Sequence, residues 1–107
     1  MKPLVFQVLL ALSAGERHGW SLVREIQQGG AGERVLPANF YRTLRGMLAD
    51  GLIEETGSRR AAEDDERRRY FRLTALGSNA ARLEARRLQE LVADSRTRRL
   101  LSSRSRH

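Results

Sequence analysis

The hydrophobic period of this chain changes from helical to alternating at Leu52, and that change limits the possible folds more than any other feature. Before it, apolar residues recur at helical spacing. Leu4, Val5, Val8, Leu9 and Leu12 share one face behind Pro3, whose fixed φ suits a first helical turn. They predict a helix over about residues 3 to 13, stopped near Gly15. Leu22, Val23 and Ile26 repeat the pattern over Gly19 to Gln28, with Trp20 near the start. Gly29-Gly30-Ala31-Gly32 then breaks it. A third helix opens at Pro37, carries Phe40, Tyr41, Leu44, Met47 and Leu48 on one stripe, and ends at Asp50-Gly51.

After Leu52 the alternation is that of strands. Leu52 to Thr56 reads as one short strand and Arg69 to Leu73 as another. The polar loop between them, Gly57 to Arg68, is longer than a tight hairpin needs. Thr74 is a residue type that caps helices, and a final helix follows with Leu76, Ala80, Leu83, Leu88, Leu91 and Val92 as its apolar positions. This order predicts a mainly α fold with a small β-wing: a winged helix-turn-helix plus a C-terminal dimerisation helix. The expected divisions are residues 1–74 for the winged domain, 75–101 for the dimerisation helix and 102–107 for a disordered basic tail.

Charge narrows the choice of partner. The 107 residues carry 20 Lys and Arg against 13 Asp and Glu, a net charge of +7, and Lys2 is the one lysine. Arginine's planar, always charged fork suits phosphate, so nucleic acid is the first partner to consider and an anionic membrane surface the second. The longest apolar run, Val8 to Leu12, is far too short to span a bilayer, and the N-terminus lacks the pattern of a secretory signal. With no cysteine, disulfides and thiolate chemistry are excluded, and a cytoplasmic setting is expected. Neither His18 nor His107 shares metal-ligand spacing with carboxylates. Ser13, Ser21 and Ser58 have no accompanying base, and no Gly-Lys-Ser/Thr follows the glycine run. No catalysis and no cofactor are expected.

The third helix holds the strongest candidates. With Phe40, Leu44 and Leu48 inward, Ala38, Asn39, Arg42, Arg45 and Gly46 lie on or near its outer face. Asn and Arg are the side chains that make bidentate contacts to adenine and guanine edges in a major groove. A solvated basic face would look the same, but the position just before the wing favours double-stranded DNA. Asn39 and Arg42 are expected in or beside the groove, with Arg45 nearby and Tyr41 on a phosphate. In the wing, Phe71 and Leu73 face inward, while Arg68 and Arg72 face outward around Tyr70. Arg67 and Arg68 are expected on the phosphate backbone, unless the acids Glu63 to Glu66 neutralise the wing.

A chain this short buries only roughly two-thirds of its unfolded surface, so apolar area from a partner would help it. Leu83, Leu88, Leu91 and Val92 form a stripe wider than one winged domain covers, and Ala80, Ala81 and Ala85 permit close helix approach. A homodimer is expected, against the alternative of packing on its own domain. Trp20 reads as core or as a phosphate-side contact. With Phe6 it also offers aromatic surface for a small hydrophobic effector in a dimer cleft, although no convergent pocket can be read. A winged-helix protein-interaction module without a specific DNA target is a further alternative.

Several stretches carry a resemblance. Arg17-His18-Gly19-Trp20-Ser21-Leu22 resembles the "HGYxL" opening of the second helix in the PadR family. Leu36-Pro37-Ala38-Asn39-Phe40-Tyr41-Arg42-Thr43-Leu44 resembles its recognition helix, although Leu36 stands where many members have a polar residue. Gly51-Leu52-Ile53-Glu54 is similar to the entry of its wing, and Asp65 through Gly77 to its return, "DxRRRYYxLTxxG". The match runs in order from residue 4 to about residue 95. It implies a bacterial transcriptional regulator, usually a repressor, binding operator DNA as a homodimer, of the shorter subgroup with a single C-terminal helix.

Overall fold

The computed structural model describes residues 1–28, 36–56 and 69–103. The expected break at Gly29–Gly32, the loop from Gly57 to Arg68 and the end of the tail lie outside the described residues. In chain order the elements are α1 (Pro3–Ser13), β1 (Arg17–His18), α2 (Gly19–Gln28), α3 (Pro37–Ala49), β2 (Ile53–Thr56), β3 (Tyr70–Leu73), α4 (Ala75–Ala93) and α5 (Ser95–Ser103). The winged helix-turn-helix is thus present, mainly helical with a small antiparallel sheet.

Sequence reading missed β1, because two residues are too few to show a period. Arg17 and His18 precede the second helix as a strand that pairs antiparallel with β3, Arg17 opposite Phe71 and His18 opposite Tyr70. On its other edge β3 pairs with β2, from Ile53 opposite Leu73 to Thr56 opposite Tyr70. The return strand of the wing is therefore central in the order β1-β3-β2. The Gly19 N–H donates to the Arg69 carbonyl at 3.0 Å, which fixes the start of α2 to the wing.

Val8, Leu9 and Leu12 of α1, Leu22 and Ile26 of α2, Phe40, Leu44 and Met47 of α3, Ile53 of β2 and Phe71 of β3 form the core. Each helix contributes the stripe its periodicity marks, so burial rather than intrinsic propensity stabilises these short helices. Leu48 is half-buried at the margin and Met47 takes the central place.

The junction between α3 and α4 is built from backbone groups. The Gly51 N–H donates to the Leu48 carbonyl at 3.1 Å and the Leu52 N–H to the Met47 carbonyl at 3.0 Å. This is a Schellman end, and it requires the left-handed conformation that Gly51 adopts at φ 78°. Thr74 then ties the two helices together. Its N–H donates to the Leu52 carbonyl at 3.1 Å, and its hydroxyl bonds the Gly51 carbonyl at 2.5 Å. The same hydroxyl accepts from the Gly77 N–H at 3.0 Å, so Thr74 is the N-cap of α4 as its residue type implies. Thr74→Val keeps the shape and removes the hydroxyl from all of these bonds. Its expected cost is roughly 1–3 kcal/mol, read as a lower denaturant midpoint.

The C-terminal segment departs from the expectation of one helix reaching Leu101. It breaks at Asp94, whose backbone is extended (φ −59°, ψ 135°), and α5 follows to Ser103. Asp94 closes α4 through its N–H, which donates to the Glu90 and Leu91 carbonyls, and it opens α5 through its carboxylate. Oδ1 accepts from the Arg96 N–H at 2.8 Å, and the Arg96 guanidinium holds both carboxylate oxygens at 3.0 and 2.9 Å. An Asp two residues before a cationic run is a recognisable helix start, and the apolar stripe alone concealed it. The Arg96 side chain, then the Arg96 backbone N–H, hold the Asp94 carboxyl below its ordinary range. A lowered value means the capping contribution is complete above the usual carboxylate range and is lost as pH falls through the lowered value. Amide protection in residues 95–103, taken relative to the intrinsic exchange rate at each pH, is therefore expected to fall at acid pH, and at neutral pH in Asp94→Ala but much less in Asp94→Asn.

Candidate nucleic-acid interface

The exposed side of α3 follows from its buried one. Because Phe40, Leu44 and Met47 are turned fully inward, Ala38, Asn39, Arg42, Arg45 and Gly46 are all exposed, as their spacing predicts. Arg42 Nη1 donates to Asn39 Oδ1 at 3.4 Å, which brings the two proposed base-reading side chains into one unit on a single turn. Pro37 occupies the first turn and Leu36 precedes it without a side-chain cap bond, leaving Asn39 as the polar side chain of that turn. Tyr41 keeps the place on the apolar stripe that its spacing predicts. It is half-buried against the core, with its ring edge-on to Phe40 at 5.2 Å and 87°, so its ring serves packing first.

On β3, Phe71 faces the core and Arg72 and Tyr70 face outward, as alternation predicts. Arg67 and Arg68 lie outside the described residues. For the neighbouring arginines, the neutralising acids are Glu54 and Glu55 on β2. Arg72 Nε meets Glu54 Oε2 at 2.6 Å from directly across the ladder, and Arg69 Nη1 meets Glu55 Oε1 at 2.9 Å. The acids Glu63 to Glu66, the alternative partners for Arg67 and Arg68, lie outside the described residues, and the pairing with Glu54 and Glu55 was not expected. The signal available was the Glu54-Glu55 pair at matching depth in the opposite strand. Tyr70 closes this base against His18, with ring centroids 3.9 Å apart.

A division among the cations results. Arg17, Arg69, Arg72, Arg87 and Arg96 each pair with a carboxylate. Arg24 of α2 and Arg42 of α3 are instead held by neutral groups, the Trp20 ring and the Asn39 amide. A cation held by a neutral partner keeps its full charge for an external anion. Trp20 is half exposed, so the expectation that it belongs to the core is not met.

α4 rests on α1, with Ala80 and Ala81 packed on the core, so those small residues serve approach within the protomer. Leu83, Leu91 and Val92 remain exposed at 64%, 48% and 58%, and Leu88 is half-buried. Leu76, Leu100 and Leu101 are exposed as well. The radius of gyration is 16.1 Å, against about 13 Å for a compact domain of this size, because the C-terminal helices project beyond the core.

Among the described residues no cluster of His, Asp and Glu could hold a metal ion, and no helix is long and apolar enough to cross a membrane. A shallow groove of about 570 Å³ lies between the end of α1 and the start of α4, and neither Phe6 nor Trp20 lines it.

Comparison with known proteins matches residues 8–83 to the model of the transcriptional regulator PadR-like family. A curated relative, "Transcriptional regulator Rv3488" of Mycobacterium tuberculosis, is 35% identical over 79 residues, which is 74% of this chain and 69% of that one. The structure of H. salinarum RosR grown from NaBr superposes at a TM-score of 0.69 with 25% identity, covering 96% of this chain and 88% of that one. Bacillus subtilis PadR in complex with operator DNA superposes at 0.64 with 18% identity, over 77% of this chain and 46% of that one, a likeness of fold.

Proposed function

The chain belongs to the PadR-like family of transcriptional regulators, and from that premise we propose that it is a sequence-specific DNA-binding repressor that reads an inverted-repeat operator as a homodimer. The observation that carries this is the outer face of α3, where Asn39 and Arg42 are exposed together and hydrogen-bonded to each other, with no acid paired to Arg42 among the described residues. Asn39 and Arg42 read base edges from the N-terminal half of the helix, and Arg45 lies toward the backbone. Tyr41 contributes at most its hydroxyl to a phosphate, since its ring is committed to the core. Arg67 and Arg68 contact phosphates from the wing. Leu83, Leu88, Leu91 and Val92 supply the dimer contact, and no catalytic step is involved.

The test is binding to the DNA upstream of its own gene against scrambled DNA of equal length, at one fixed salt concentration. Arg42→Ala is expected to cost roughly 1–3 kcal/mol on the specific duplex and much less on the scrambled one. Equal losses on both would assign Arg42 to the backbone and leave base reading to other residues. Replacing Arg67 and Arg68 together by Ala is expected to weaken all duplexes alike and to reduce the salt slope by roughly one or two. An unchanged slope would mean that these cations are neutralised within the protein.

A further inference from the structure

α2 buries Gly19, Leu22 and Ile26 and turns Trp20 and Arg24 outward, one helical turn apart. The Arg24 guanidinium carbon lies 4.7 Å from the centre of the Trp20 ring. Trp20 is 50% exposed, an unusual place for the largest apolar side chain unless it has an external task. The ring fixes the guanidinium in position without cancelling its charge, and no carboxylate among the described residues pairs with Arg24. With one face of Trp20 already covered by a cation, a flat hydrophobic effector would have to displace Arg24 to stack there. An anion instead gains from the arrangement, since both the guanidinium and the indole N–H are donors.

Resting on the DNA-binding reading above, we infer that Trp20 and Arg24 form a preordered clamp for the DNA phosphate backbone, separate from the base-reading face of α3. The occupant is duplex DNA of any sequence, chosen by charge complementarity with a chain of net charge +7. In a helix-turn-helix the first of the two helices crosses the backbone while the second enters the groove, and α2 is that first helix here. The clamp sets register and contributes nothing to base choice.

Trp20 is the single tryptophan, so its fluorescence reports on this site alone. The full chain is titrated with the upstream duplex and with scrambled duplex, and acrylamide quenching is measured at saturation. Either duplex is expected to reduce quenching of Trp20 severalfold. Arg24→Gln is expected to weaken both duplexes equally, by roughly tenfold near 0.1 M salt, and to lower the salt slope by about one. Trp20 quenched equally with and without saturating duplex would overturn the inference, and that measurement on the native chain requires no variant. An unchanged salt slope in a folded Arg24→Gln protein would overturn it too. The two readings fail separately: discrimination between duplexes with Trp20 still open to acrylamide removes the clamp only, whereas shielding by both duplexes without discrimination removes operator specificity only. A chain that binds neither duplex removes both.

Discussion

Gly77→Ala is expected to destabilise the fold by on the order of 3 kcal/mol, a large share of the roughly 5–15 kcal/mol that holds a small domain together. A Cβ at this position would stand 1.9 Å from the Leu52 carbonyl oxygen and 2.9 Å from its carbonyl carbon. Both are backbone atoms, fixed by the bond that the same carbonyl accepts from the Thr74 N–H, so no rotamer change can relieve the clash. α4 would have to move away from the wing. Gly46→Ala is the matched control, because nothing lies within 4 Å of a Cβ there. In the middle of α3 it is expected to stabilise by about 0.5–1 kcal/mol, since glycine is a poor helix former. Chemical denaturation of the two variants should thus shift in opposite directions. A Gly77→Ala protein with an unchanged midpoint would show that the junction gives way more easily than its bonds imply.

The second large effect concerns assembly. Leu83→Asp is expected to abolish the dimer and, with it, tight operator binding, while the folded protomer survives. Leu83 is 64% exposed in the single chain, so the substitution buries no charge there. In a two-fold interface the same aspartate would lose its water without gaining a partner. This position separates the two effects better than Leu88, which is half-buried within the protomer and would report on folding as well. Sedimentation should show a dimer for the native chain and a monomer for the variant, which should still unfold cooperatively but at a lower temperature, having lost the stabilisation that association adds. One winged domain then retains weak, salt-dependent binding but loses the gain from two half-sites about one helical turn apart. A native chain that sediments as a monomer at micromolar concentration, yet binds a single half-site tightly, would defeat the dimer model.

Much of this molecule was legible because short amphipathic helices advertise their buried face. Val8, Leu22, Phe40 and Phe71 all occupy the core their periodicity assigns. The exposed set on α3 follows from the same arithmetic. What stayed hidden depends on contacts between segments distant in sequence. β1 exists only because β3 is beside it, and Glu54 opposes Arg72 only once the register is known. Tyr41 shows a different limit: its spacing places it at the edge of the buried stripe, where core and surface roles cannot be told apart. At Asp94 a local signal was present, and the continuing run of apolar residues obscured it.

The tie between Gly51, Leu52 and Thr74 has a mechanical consequence. α3 is 13 residues long, about 20 Å, and is held at its C-terminal end, while Asn39 and Arg42 lie near the other. Phe40, between those two, is fully buried, so α3 is anchored along its length and moves with the core and the α4 junction as one body. A tilt of that body by about 10° would carry the N-terminal end of α3 by roughly 3 Å, a whole hydrogen-bond length. In the proposed dimer the distance between the two copies of α3 would then follow the angle at which α4 leaves this junction.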